Sequence, residues 1–281
     1  TRFAQGNYRV SSLLCAPLKV KDRVIGVCNI SNNSPVVYTA GEMKLLCILA
    51  SQVASAIENA LLHENRLREE HAKAYLQRYV APQIVNNIFG DDKECISLDP
   101  VKKDIAILFS DIRGFSSTCE KLTPEETVAY LNEYFTQMVE IIFNHNGTVN
   151  KFVGDMIVAI FGAPTRCDDN KKQAVKTAIM MQRRLSEIKN KWIRDNFNTG
   201  IGISAGEVVV GNIGSPQHMD YTAIGDEVNI AERLEALAQG KQILVDRNVY
   251  EATKDAFEFK DLGSFTVKGK KKKVDVFEVV Y

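Results

Sequence analysis

The chain predicts an α+β fold, because from Lys103 onward strand and helix periodicities follow in βαββαβ order, with hairpins among them, and two aspartates punctuate apolar runs. Strands interleaved with helices but joined by hairpins give a mixed sheet with helices on one face, rather than a doubly wound parallel sheet. The runs are Ile105-Ala-Ile-Leu-Phe-Ser-Asp111 and Lys151-Phe-Val-Gly-Asp155-Met-Ile-Val-Ala-Ile-Phe161. A carboxylate at the end of a buried strand is costly unless something positive lies against it, so two in one domain suggest a shared divalent-cation site.

The 281 residues are long enough for one large or two ordinary domains, and an apolar share of 45% with 25% charged is that of a soluble globular protein. Lys plus Arg equals Asp plus Glu at 35 each, leaving no basic field for nucleic acid. The six cysteines, Cys15, Cys28, Cys47, Cys95, Cys119 and Cys167, form no C-x-x-C pair and have no histidine at ligand spacing, so a reducing cytoplasm fits best. No apolar run reaches the roughly 18 to 20 residues that span a bilayer, and no signal-peptide pattern opens the chain. Its start at Thr1 hints at a fragment of a longer protein, which leaves room for an upstream membrane segment.

Ser12–Val20 and Val24–Ile30 read as two strands joined at Lys21-Asp22-Arg23. Thr39 then caps a helix, with Glu42 supplying the capping-box acid, and Met43, Leu46, Ala50, Val53, Ala54, Ile57 and Leu61 keep a 3.6 period. Two strands and a helix are too little for an independent core, so residues 1–63 read as the closing part of a domain. Residues 64–103 read as a helical connector. It is charged at first and interrupted at Pro82, with a short second helix over 81–89; a two-chain coiled pair is its simplest arrangement, a solvated spacer the other.

In 104–281 the pattern predicts strand 104–110, helix 124–145, strands 148–153 and 157–161 around Gly154-Asp155, and helix 169–191. Strands 200–205 and 207–211, helix 226–237, strand 242–245, helix 247–253 and closing strands near 257–266 and 273–280 follow. Gly114 lets the chain turn tightly after Asp111, so the N–H groups of Gly114-Phe115-Ser116 are placed to cradle phosphate oxygens. Singly, a strand-end aspartate is more often a turn or cap residue; the pair with its glycines shifts that balance toward two cations that activate a hydroxyl and neutralise a polyphosphate. Lys151, an even offset before Asp155, reads either as its salt-bridge partner or as a donor to a ring nitrogen. Asn229 and Arg233, four apart on a helix, read as packing residues or as donors to charge developing on phosphorus.

Two resemblances follow from these residues. Gly26-Val-Cys-Asn-Ile-Ser and Leu49-Ala-Ser-Gln-Val-Ala-Ser-Ala-Ile-Glu-Asn-Ala60 resemble the closing half of a GAF domain, which implies a regulatory input with an unknown small ligand. The cyclic-nucleotide-binding members' Asn-Lys, Phe, Asp motif is replaced here by Asn32-Asn33 and Tyr38. The segments Phe109-Ser-Asp111-Ile-Arg-Gly-Phe-Ser, Lys151-Phe-Val-Gly-Asp155, Gly202-Ile-Ser-Ala-Gly206, Tyr221-Thr-Ala-Ile-Gly225, Val228-Asn229-Ile-Ala-Glu-Arg233 and Val267-Lys268-Gly269-Lys270 resemble, in order, a class III nucleotidyl cyclase catalytic domain.

That second resemblance implies a ferredoxin-like core, with two Mg²⁺ or Mn²⁺ ions held by Asp111, Ile112 and Asp155. It implies purine contacts from Lys151 and Thr222, transition-state contacts from Asn229 and Arg233, and terminal phosphates on Lys268. It further implies a head-to-tail homodimer with composite sites and ATP as substrate, because guanylyl relatives usually carry Glu and Cys where this chain has Lys151 and Thr222. Gly200 stands where some relatives carry a phosphate-binding arginine. A guanylate or relaxed-specificity cyclase and a catalytically silent nucleotide-binding domain are the alternatives.

Overall fold

The computed structural model describes residues 10–76, 85, 98–215, 217–265 and 273–281. The chain forms two compact units, Thr1–Arg78 and Tyr79–Tyr281.

In the first unit, β1 (Ser12–Val20) and β2 (Arg23–Asn32) form an antiparallel hairpin, turned through Lys21 at φ 50°. The helix α1 (Ala40–Leu76) starts where expected: the Thr39 N–H donates to Glu42 Oε2 at 2.7 Å and the Glu42 N–H returns to Thr39 Oγ1 at 3.3 Å. Leu46 and Ala50 of α1 pack on Leu14 and Ala16 of β1. Beyond them α1 is held at its surface by Glu64–Arg68 and Arg66–Glu70, exposed pairs each worth a few tenths of a kcal/mol. By length and composition α1 is also apolar enough to cross a membrane, which corrects the expectation that no stretch of the chain meets that measure. The expected helix over 81–89 lies almost wholly outside the described residues.

The second unit is built on one mixed sheet. Its elements are β3 (Val101–Ile112), α2 (Phe115–Cys119), α3 (Pro124–Asn144), β4 (Gly147–Val153), β5 (Met156–Phe161), α4 (Asn170–Glu187), α5 (Lys191–Asn196), β6 (Thr199–Ser215), β7 (His218–Ile224), α6 (Asp226–Leu237), β8 (Ile243–Asp246), α7 (Arg247–Thr253), β9 (Glu258–Phe265) and β10 (Val274–Val280). The strand order is β4-β5-β3-β6-β8-β10-β9, with β7 folded back on β6; β6 and β8 are parallel and the other pairings antiparallel. The first four strands, β4-β5-β3-β6, are the ferredoxin-like βαββαβ arrangement.

Period-two alternation along β3 explains the layers. Ala106, Leu108 and Ile112 face a core completed by Tyr134, Met138 and Ile142 of α3 and Ala174, Ala178 and Met181 of α4. Ile105, Ile107 and Phe109 face the other way and are buried as well, against Val208 and Val210 of β6 and Ala231 of α6. Helices therefore cover both faces, not one as expected: a strand with an unbroken apolar run, Ile105 to Phe109, needs cover on both sides.

Four differences concern where elements begin, end or pair. The helix read as 169–191 breaks after Glu187, because Asn190 accepts the Trp192 N–H at 3.1 Å and starts α5. The two strands read as 200–205 and 207–211 are one, the 17-residue β6. Its hairpin partner β7, not among the predicted strands, is half-buried or exposed throughout and so lacks an apolar alternation. β3 begins at Val101, within the stretch read as connector.

Candidate active site

β3 carries Asp111 next to its end, and the β4–β5 turn, with Gly154 at φ 63°, carries Asp155. Because β5 lies beside β3, the two carboxylates come within hydrogen-bonding reach of each other, and Asp155 Oδ2 also accepts the Ile112 N–H at 3.2 Å. Burial first, and then the neighbouring Asp155 and Glu235, push the Asp111 carboxyl up to about 7, with Arg113 opposing. Two acidic groups crowded this way favour a cation between them. Mg²⁺ and Mn²⁺ are hard cations that take carboxylate and phosphate oxygens, and the two aspartates are oxygen donors of that kind. The residues fit such ions.

After Ile112 the chain turns through Gly114 at φ 65°, ψ 25°, into α2. That left-handed conformation costs glycine nothing and a β-carbon-bearing residue about 1 kcal/mol or more. The Phe115 ring packs edge-on against Phe197 at 5.9 Å, fixing the loop whose backbone carries Gly114, Phe115 and Ser116.

Sequence reasoning missed the ion pair beneath the carboxylates. Arg113 donates to both the carboxylate and the backbone carbonyl of Glu235, a buried residue of α6, and its Nη1 lies 3.7 Å from Asp111 Oδ2. The guanidinium occupies the space a side chain at position 200 would need, so Gly200 is bare because Arg113 fills its place. The signal was available in the oddity of Gly200, but not the residue that answers it.

Lys151 lies exposed on β4 and makes no ion pair among the described residues, which removes the reading of it as the salt-bridge partner of Asp155. Thr222 on β7 is brought near it: Thr222 Oγ1 lies 3.5 Å from Oδ1 of Asn150, the neighbour of Lys151. Asn229 is exposed and Arg233 half-buried on α6, whose Val228, Ile230, Ala231 and Leu234 pack inward. Lys268 lies outside the described residues.

A ferredoxin-like sheet with paired carboxylates at its first strand, and a helix presenting an amide and a guanidinium, is the arrangement of a nucleotidyl cyclase catalytic domain. The chain belongs to the adenylate and guanylate cyclase catalytic domain family, whose model matches residues 99–279; the GAF domain model matches residues 1–57. It is 30% identical over 253 residues to an adenylate cyclase of Anabaena cylindrica, covering 85% of this chain and 48% of that protein. Solved structures resemble it too. The adenylyl cyclase CyaB from P. aeruginosa is 34% identical at TM-score 0.62, over 65% of this chain and 96% of that one. The guanylyl cyclase Cya2 is 39% identical at TM-score 0.61, over 64% and 93%. The chain spans between 10% and 48% of the length of the first curated relatives it matches.

Proposed function

We propose that the second unit is an adenylate cyclase acting as a homodimer, in which the ribose 3′-hydroxyl of ATP attacks the α-phosphate to give 3′,5′-cyclic AMP and pyrophosphate. The observation that carries this reading is the Asp111–Asp155 pair, held by adjacent strands beside a glycine turn. Asp111 and Asp155, with the backbone at Ile112, would hold two Mg²⁺ or Mn²⁺ ions, which would supply a lowered pKa at the 3′-hydroxyl and positive charge against the polyphosphate. The N–H groups of Gly114, Phe115 and Ser116 receive phosphate oxygens.

Lys151 donates to adenine N1, an acceptor in adenine but an N–H in guanine, and the Thr222 hydroxyl accepts from the 6-amino group. Asn229 and Arg233 of the partner copy stabilise charge on the transferring phosphorus, and Lys268 holds the terminal phosphates. With Gly200 bare and Arg113 tied to Glu235, Arg233 and Lys268 supply the positive charge toward the triphosphate. The exposed side chains of Phe152, Val153, Met219 and Ile224, on the strands that carry Lys151 and Thr222, suit burial against a second copy. The GAF-like unit supplies the regulatory input, through a small ligand that sets the relative position of the catalytic halves.

Incubating the purified protein with ATP or GTP, each with Mg²⁺ or Mn²⁺, tests the reading. Cyclic AMP is expected in excess. Excess cyclic GMP would assign a guanylate cyclase, a reading that the 39% identity to a guanylyl cyclase favours. No product from either would leave a silent nucleotide-binding domain.

A further inference from the structure

β4 carries one residue more than its partner strand. Val149 pairs with Ala159 and Lys151 with Val158, so Asn150 is left over as a bulge. A bulge re-aims its side chain out of the strict alternation of a strand. The Asn150 amide reaches β7, where Nδ2 donates to the Tyr221 carbonyl at 2.5 Å while Oδ1 faces Thr222 Oγ1 at 3.5 Å. The Tyr221 carbonyl can only accept, so the amide nitrogen faces it and the orientation of the amide is set by chemistry. Oδ1 can likewise only accept, so the Thr222 hydroxyl proton points at Asn150. The lone pairs of Thr222 Oγ1 are left for whatever lies beyond.

We propose that Asn150 is a positioning residue for purine choice: by taking the Thr222 proton, it turns the hydroxyl into an acceptor toward the 6-position of the base. An oriented acceptor matches the exocyclic amino group of adenine and opposes the 6-oxo group of guanine. An unrestrained hydroxyl would rotate to donate to the 6-oxo group and discriminate poorly. This rests on the reading of Lys151 and Thr222 as the purine contacts, and it adds the group that decides which way the threonine proton points.

The test is kcat/KM for ATP, GTP and purine ribonucleoside triphosphate, which lacks any 6-substituent, with Asn150→Ala and Thr222→Val. The unmodified protein is expected to prefer ATP over the unsubstituted analogue. Asn150→Ala should cut that preference about fivefold, the worth of one hydrogen bond, and raise relative GTP use. Each ratio is taken within one preparation, so a smaller folded fraction cancels. If Asn150→Ala lowers all three substrates by one factor, the proton-orienting role is refuted. Thr222→Val separates the two levels. Should it leave the ATP-to-analogue ratio unchanged, the purine reading itself fails; should it collapse the ratio while Asn150→Ala preserves it, only the role of Asn150 fails.

Discussion

The two units differ in how they are held. In the first, Leu14, Ala16, Leu46 and Ala50 make a small core, and Leu13, Val24, Val27, Ile30, Leu45, Ile48 and Leu49 remain exposed. In the second, both faces of the central strand β3 are buried from Ile105 to Phe109, and its polar residues lie toward its two ends, Lys102, Lys103 and Asp104 at one and Ser110 and Asp111 at the other. A hairpin and one helix have too few layers to cover their own apolar side chains, whereas a sheet covered on two faces has stability to spare for crowded carboxylates. Function needs that surplus, since Asp111 beside Asp155 works against the fold when no cation is bound.

The strongest way to break the comparison is at those carboxylates. Asp111→Asn or Asp155→Asn is expected to lower turnover at least about a hundredfold, because each removes a metal ligand at constant side-chain size. Tm should hold or rise, as one of two crowded charges is gone. Turnover near that of the unmodified protein in either variant would show that the pair is not the metal site.

Next in size is complementation between chains. Proteins carrying Asp111→Asn and Arg233→Ala should each be nearly inactive, and co-expression should restore roughly a quarter of normal turnover. About half of randomly paired dimers are mixed, and each of these has one intact site of two. Verified mixed dimers as dead as their parents would exclude sites shared between copies, or show the sites to be strongly coupled.

A smaller change concerns selectivity. Lys151→Glu with Thr222→Cys should lower the ATP-over-GTP ratio of kcat/KM by about tenfold or more, since an acceptor then faces adenine N1. An unchanged ratio would take both residues out of base recognition.

Asp246 sharpens the energetic side of the comparison. Its Oδ2 lies 2.7 Å from Ser204 Oγ, which is also 2.6 Å from Glu227 Oε2, and its Oδ1 accepts the Val249 N–H at 2.9 Å. One serine proton cannot serve two carboxylates, so the trio favours an extra proton, and burial pushes the Asp246 carboxyl up to about 6. The folded state thus binds that proton more tightly than the unfolded chain. Stability from this group is greatest below about pH 4 and is lost as pH rises toward 6, by on the order of 3 kcal/mol. Asp246→Asn should flatten that segment of the pH–stability curve; denaturant midpoints from pH 4 to 7 measure it, and an unaltered slope would rule the group out.

The smallest effect belongs to the first unit. Thr39→Ala should speed amide exchange in the first turn of α1 about fivefold, the worth of one helix cap, and leave cyclase turnover nearly unchanged. A loss of turnover rivalling that of Asp111→Asn would end the distinction between a unit that carries chemistry and one that does not.

Much of this was legible along the chain. The helices Asp226–Leu237 and Arg247–Thr253 begin and end where periodicity puts them, Thr39 and Glu42 form the expected box, and Asp111 and Asp155 meet at neighbouring strand ends. These features depend on near neighbours: a period, a cap, a turn glycine, a carboxylate after an apolar run. What was not legible depends on distant partners. Strand β7 shows little alternation because its place is set by pairing with β6, and cover by α6 on the second face could not be read from α6 alone. The pairing of Arg113 with Glu235 spans 122 positions, and that of Asn150 with Tyr221 spans 71. Sequence by itself determined the periodic elements and the acidic pair, because local sterics and hydrophobic period act within a few residues. Only the tertiary structure decided which carboxylate holds Arg113 and which amide faces Thr222, because a side chain's electrostatic partner is whatever the fold brings within about 3 to 4 Å, at any separation along the chain.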